Sequence, residues 1–239
     1  MFFETLPTCN GQLTGFVVFR RQYVGQGCVR SRGLETNDMS QHCGGMHSHW
    51  EHGTWGPDES RLHWYLLPEH ITPGTAEAVS AHLSTVGLDV VPEPWLHCTV
   101  VSLLPSLATA NAAELDKMID AVGLLAETTA PIVASSTLQA YGSALVWDLA
   151  PVERFSPVFR SVVSACGPML RTDPNKNYQP HVTVAYVKVA HDEQATAALL
   201  DTKSCDAQSI TFRNLYLLDF RQRDACYQWD IVKAIKLSG

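Results

Sequence analysis

One tetrapeptide pattern occurs twice in this chain and constrains its fold more than any other feature. His97-Cys98-Thr99-Val100 and His181-Val182-Thr183-Val184 both read His-x-Thr-Val, 84 residues apart. Each lies in an apolar, β-branched run, and the second continues through Ala185, Tyr186 and Val187. Such runs form strands, in which alternate side chains share a face. His97 and Thr99 therefore point one way, and so do His181 and Thr183. Cys98, Val100, Val182 and Val184 point the other way, into a core. Tyr186 is out of phase with His181 and is expected to be core as well. Two strands that each present an imidazole and a hydroxyl frame a place for one phosphate.

The surroundings of the motifs repeat too. Arg61 to Leu67 alternates, with Leu62, Trp64 and Leu66 on one face and His63, Tyr65 and Leu67 on the other. Pro68 ends that strand, because proline cannot continue a ladder. A helix is predicted from Thr72-Pro73 to about Val86, with proline in the first turn and Gly87 as the stop. Asp89 to Val91 is a short extended piece, and Leu96 to Leu103 is the first His-strand. Asn111 caps a helix whose Leu115, Met118, Ile119, Val122 and Leu125 recur at helical spacing. Ile132 to Gln139 and Ala144 to Leu149 read as a hairpin turning at Tyr141-Gly142-Ser143. Val152 to Cys166 is a second amphipathic helix, and the polar loop Arg171 to Gln179 leads into the second His-strand. His191 to Leu200 is helical, and Ser209 to Asp219 with Tyr227 to Ile235 closes the chain as a hairpin.

This order implies an α+β fold made by duplication: a bilobal unit over residues 59–239, with two mainly antiparallel sheets flanking a central cleft and helices outside. Residues 1–58 read differently. Glycine, polar residues and scattered aromatics surround a single strand, Gly15 to Phe19, so an irregular N-terminal extension is expected. A Rossmann fold is argued against by the short strands, and the chain carries no Gly-rich phosphate loop, GxxxxGK[ST] or GxSxG.

Charge narrows the partners. Lys and Arg number 17 against 24 Asp and Glu, a formal charge of −7. Nucleic-acid affinity depends mainly on neutralising phosphates, so a long RNA groove is disfavoured while a small anion held by local groups is not. There is no apolar run of membrane-spanning length and no signal-peptide pattern. The seven cysteines (Cys9, Cys28, Cys43, Cys98, Cys166, Cys205 and Cys226) form no CxxC pair. Reduced thiols in a cytoplasmic monomer are the expectation.

Two histidines flanking one phosphate suit in-line phosphodiester chemistry. One neutral imidazole takes a proton from the nucleophile, and an imidazolium gives one to the leaving oxygen. Imidazole titrates near neutrality, so both forms exist at working pH, and each well-placed acid or base contributes roughly 10²- to 10⁴-fold. Threonine hydroxyls on the same face can donate to non-bridging oxygens as charge develops. This scheme calls for no metal and no cofactor.

The paired motifs on apolar strands resemble those of the two-histidine (2H) phosphoesterase superfamily, which includes bacterial 2′-5′ RNA ligase-like proteins and cyclic nucleotide phosphodiesterases. The resemblance covers about residues 59–239. It implies a duplicated bilobal fold with His97 and His181 as the acid/base pair and Thr99 and Thr183 as phosphate ligands. It also implies a 2′,3′-cyclic phosphate or 2′-5′ linkage in a cyclic nucleotide or RNA terminus as substrate, hydrolysed or ligated. The basic cluster that polymeric RNA would need beside the first motif is missing, since Glu93, Pro94 and Trp95 stand there. Arg171 and Lys176 are the nearest cations.

Further candidates are weaker. His63 and Tyr65 share a face that can look into the cleft, or they belong to a half-buried edge strand. Trp95 is placed to stack on a base, or simply packs beside the strand start, and Phe212, Asn214 and Tyr216 raise the same choice. Four of the ten histidines, His42, His47, His49 and His52, fall within residues 41–52 beside Cys43 and Glu51. Their spacing matches no standard zinc site, so a solvated loop is expected and no metal ligand is assigned. Two rival readings remain: a non-catalytic domain that binds a nucleotide or RNA end, and a zinc-dependent enzyme built on residues 42–52.

Overall fold

The alternating run around His63 becomes strand β1 (Ser60–Leu66), ending before Pro68 as its chemistry demands. β1 is central to one lobe of a computed structural model that describes residues 55–56, 59–73, 75–84, 88–175, 177–187, 209–223 and 226–239. The strand Gly15 to Phe19, the histidine cluster of residues 42–52, Lys176 and the helix His191 to Leu200 lie outside the described residues.

The remaining strands are β2 (His70–Ile71), β3 (Leu88–Val90), β4 (Cys98–Ser102), β5 (Ile132–Tyr141), β6 (Ala144–Ala150), β7 (His181–Val187), β8 (Ile210–Phe212), β9 (Asn214–Arg223) and β10 (Cys226–Lys236). Helices α1 (Thr75–Ser84), α2 (Ala112–Ala126) and α3 (Ser156–Cys166) interrupt them. The Asn111 side chain accepts from the amides of Ala113 and Glu114, so the expected cap is formed. Helix α1 starts later than Thr72-Pro73 predicts, because Pro73 lies in a turn before it. No helix among the described residues is long and apolar enough to cross a membrane.

The described strands run in the order β10-β9-β1-β4-β7-β6-β5-β8-β2, with β3 on β7, and every pairing among them is antiparallel. The two His-strands, β4 and β7, meet in the middle. Their ladder is a single register pair, Cys98 opposite Val182. The two expected sheets are thus lobes of one path, hinged where the motifs sit.

The lobes are not simply the two halves of the chain. The expected final hairpin breaks at Arg213: β8 joins β5 in the second lobe, while β9 and β10 cross to β1 in the first. Strand β8 buries Phe212 against Phe155 of the 3-10 turn before α3, with ring centroids 5.8 Å apart. Arg213 therefore marks a change of lobe, which periodicity within a continuous apolar run does not show.

One face of the sheet holds the main core. Leu62, Trp64 and Leu66 from β1, with Val182 and Val184 from β7, pack there with residues of all three helices. Cys98 and Cys166 are buried in that core. The other face curls. Tyr186 of β7 and Tyr227 of β10 approach to 5.5 Å between ring centroids. Four strand spacings separate β10 from β7, about 19 Å in a flat sheet, so the face between them is concave. The motifs open onto this concavity.

Candidate active site

The register at the centre sets the geometry of the motifs. Cys98 opposes Val182, and continuing that antiparallel ladder by one residue sets His97 opposite Thr183 and Thr99 opposite His181. Residues directly opposite share a face, so all four side chains occupy the concave face. Each histidine faces the other motif's threonine, and the imidazoles take one diagonal. Diagonal neighbours are about 7–8 Å apart at the backbone, and the charge of His181 reaches His97.

Both imidazoles are held in the same way. The Nδ1–H of His97 donates to the Trp95 carbonyl at 2.9 Å, and the Nδ1–H of His181 donates to the Gln179 carbonyl at 2.9 Å. A carbonyl only accepts, so each bond fixes the hydrogen on Nδ1 and leaves Nε2 for proton transfer. The two bonds repeat at the same offset, two residues back along the chain, as the duplicated motif requires.

Their surroundings differ. His97 is 7% exposed. The Tyr65 ring stacks on it at 4.6 Å and 16°, and the Trp229 ring meets it edge-on at 5.3 Å. Burial pushes the His97 imidazolium down to about 4; the bond to Trp95 opposes that shift and the nearby His181 adds to it. His181 is half-buried, and its neighbouring ring is Tyr141, tilted at 5.4 Å.

Tyr65 meets both polar residues of the first motif. It stacks on His97 and stands opposite Thr99 in the β1–β4 register, with its hydroxyl enclosed. Burial raises that hydroxyl far above the ordinary tyrosine range. His63 lies one step further along the same face. Its Nδ1 and the Ser102 hydroxyl hydrogen-bond at 3.1 Å, while its Nε2 is buried without a partner among the described residues. Burial lowers the His63 imidazolium to about 3, with His97, Arg61 and Arg171 pushing the same way. Trp95 is buried edge-on against Trp229 at 4.6 Å, so its contribution to the site is its carbonyl. Tyr216, opposite Tyr65, is half-buried against the same aromatic cluster, and Asn214 donates to Glu69 away from the motifs.

Both His-strands carry a β-bulge at the same place. Between Trp64 and Tyr65 the β1–β4 register skips Val100, and between Leu145 and Val146 the β6–β7 register skips Val184. Each skipped residue is the valine that ends its motif. A bulge shifts the alternation by one residue, so Ser102 and Tyr186 turn onto the histidine face. This corrects the placement of Tyr186: it is buried, but on the face of His181, where it meets Tyr227. Adjacent apolar pairs, Val100-Val101 and Val184-Ala185, carry the sequence signal of the slip, since both members of each pair are core.

The loop before His181 ties the motifs together from behind. Arg171 N–H donates to the Ser102 carbonyl at 2.9 Å, and the Tyr178 hydroxyl donates to the Thr99 carbonyl at 3.0 Å. Tyr178 also stacks on Phe159 of α3 at 4.4 Å. A cavity of about 390 Å³ lies on the opposite, core-side face, lined by Leu96, Trp147 and Val184 among others, and contains neither histidine. No group of His, Cys, Asp and Glu among the described residues has metal-site geometry.

No protein-family model and no curated protein sequence matches the chain. Solved structures do. TT0787 of Thermus thermophilus aligns over 75% of this chain and 98% of its own, with TM-score 0.54 and 15% identity. A phosphoesterase crystal structure aligns over 75% and 99%, with TM-score 0.55 and 11% identity. E. coli LigT complexed with 3′-AMP aligns over 76% and 100%, with TM-score 0.54 and 11% identity. The chain has the fold of the LigT-like two-histidine phosphoesterases.

Proposed function

We propose that this chain, with its two-histidine phosphoesterase fold, is a metal-independent phosphodiesterase acting on a 2′,3′-cyclic phosphate or 2′-5′ phosphodiester of a nucleotide or RNA end. The observation that carries the reading is the crossed square of two imidazoles and two hydroxyls at the β4–β7 junction, each imidazole tethered through Nδ1 to a carbonyl.

In the hydrolytic direction, the enclosed and neutral His97 is the base. A water oxygen attacks phosphorus as His97 Nε2 takes its proton. The bond from phosphorus to the ribose 2′ or 3′ oxygen breaks, and that oxygen receives the proton of the His181 imidazolium. Thr99 and Thr183 donate to non-bridging oxygens as the pentacoordinate state forms. Exchange with solvent then restores both protonation states. Hydrogen bonds and one imidazolium cover the developing charge, so no step calls on a metal.

Small or terminal phosphates fit better than long polymers. The chain is acidic overall, and Arg61 and Arg171 are the cations whose charge reaches His63 beside His97. E. coli LigT has been crystallised with 3′-AMP and with phosphate, which supports a nucleotide-sized ligand here. The test is a panel of 2′,3′-cyclic mononucleotides, 2′-5′ dinucleotides and 3′-5′ dinucleotides, assayed with and without EDTA. The first two classes are expected to be turned over and EDTA to have no effect. Turnover of none, or loss of activity with chelator, would refute the proposal.

A further inference from the structure

The rings that touch the two histidines divide sharply by exposure. Those on His97 are Tyr65, Phe220 and Trp229, all buried and packed on one another. Tyr141, beside His181 at 5.4 Å, is 48% exposed. A substrate lying between the histidines therefore meets a free aromatic face on the His181 side.

Tyr141 stands on a rigid support. It is the last residue of β5, paired with Ala144 across the turn through Gly142 and Ser143. Gly142 has φ +58°, the left-handed conformation such a tight turn needs, which glycine adopts without steric cost. The Val187 amide donates to the Ser143 carbonyl at 2.9 Å, which pins the hairpin tip to the strand of the second motif. The same face of the hairpin presents exposed Gln139 and Thr137 along β5, and Asp148 directly opposite His181. Those side chains are exposed donors and acceptors on the face that carries Tyr141.

We propose that Tyr141 is the base-stacking residue of this site: it receives a nucleobase whose phosphate lies between His97 and His181, and so selects nucleotides over base-free sugar phosphates. The proposal rests on the two-histidine reading for the position of the phosphate. It moves base stacking from Trp95, whose ring is enclosed, to the second lobe. Every base has a π-face, so Tyr141 favours the presence of a base over its identity.

The test measures binding apart from turnover. Calorimetry on the full chain compares a nucleoside 3′-monophosphate with ribose 3-phosphate for wild type, Tyr141→Ala, Tyr141→Phe and Tyr141→Trp. Wild type is expected to prefer the nucleotide, Tyr141→Ala to lose about tenfold of that preference, and the aromatic variants to keep it. A wild type that binds both ligands equally, or a Tyr141→Ala that keeps the preference, would overturn the proposal. Undiminished turnover in His97→Ala or His181→Ala would instead remove the acid/base reading and leave the stacking result standing.

Discussion

His97 and His181 share a motif and a tether, yet their environments make them chemically unequal. His97 lies under Tyr65 and beside Trp229, and His63 is enclosed one step away. Burial lowers His97 to about 4 and His63 to about 3, from an ordinary 6.5. A histidine whose folded pKa is depressed contributes stability that is fully present above the unfolded value and lost as pH falls through the folded one. The native state is therefore expected to weaken as pH drops from about 6.5 towards 3. His63→Phe, which cannot protonate, should flatten that slope in urea titrations; a variant slope equal to wild type would mean His63 is not held neutral. The four motif side chains were legible in the sequence because strand alternation fixes their faces. The inequality of the two histidines was not, because it comes from Phe220 and Trp229, which reach the site only through tertiary folding.

At the scale of elements, the β4–β7 junction matters most. One register pair joins the two His-strands, and the Tyr178 hydroxyl on the Thr99 carbonyl braces that seam from the core side. Tyr178→Phe keeps the stack on Phe159 and removes the brace. It is expected to cost about 1 kcal/mol in unfolding free energy and to lower kcat several-fold with little change in KM, since the spacing of acid and base shifts more than ground-state binding. An unchanged kcat would show that the seam holds its spacing without the hydroxyl. Most elements were readable: the Asn111 cap, the apolar stripe of α2 and the turn at Gly142 each follow from local chemistry. The duplicated bulge was hidden by the assumption of unbroken alternation, which sent Tyr186 to the wrong face. The break at Arg213 was hidden because β8 and β9 are apolar alike and differ in which lobe they join.

Across the whole molecule, the curl of the sheet turns a repeated tetrapeptide into a site. The first lobe fills its concave side with Tyr65, Phe220 and Trp229, and the second leaves Tyr141 and Asp148 exposed. The duplication echoed in the sequence is real in the motifs, tethers and bulges, but the C-terminal hairpin crosses over to complete the first lobe. That exchange depends on long-range pairing, which local patterns do not encode. The most direct test of paired acid/base catalysis is the rate of 2′,3′-cyclic nucleotide hydrolysis by wild type, His97→Ala and His181→Ala, each shown by circular dichroism to be folded. Each substitution is expected to lower kcat by about 10²- to 10⁴-fold. Full activity in either folded variant would contradict the account.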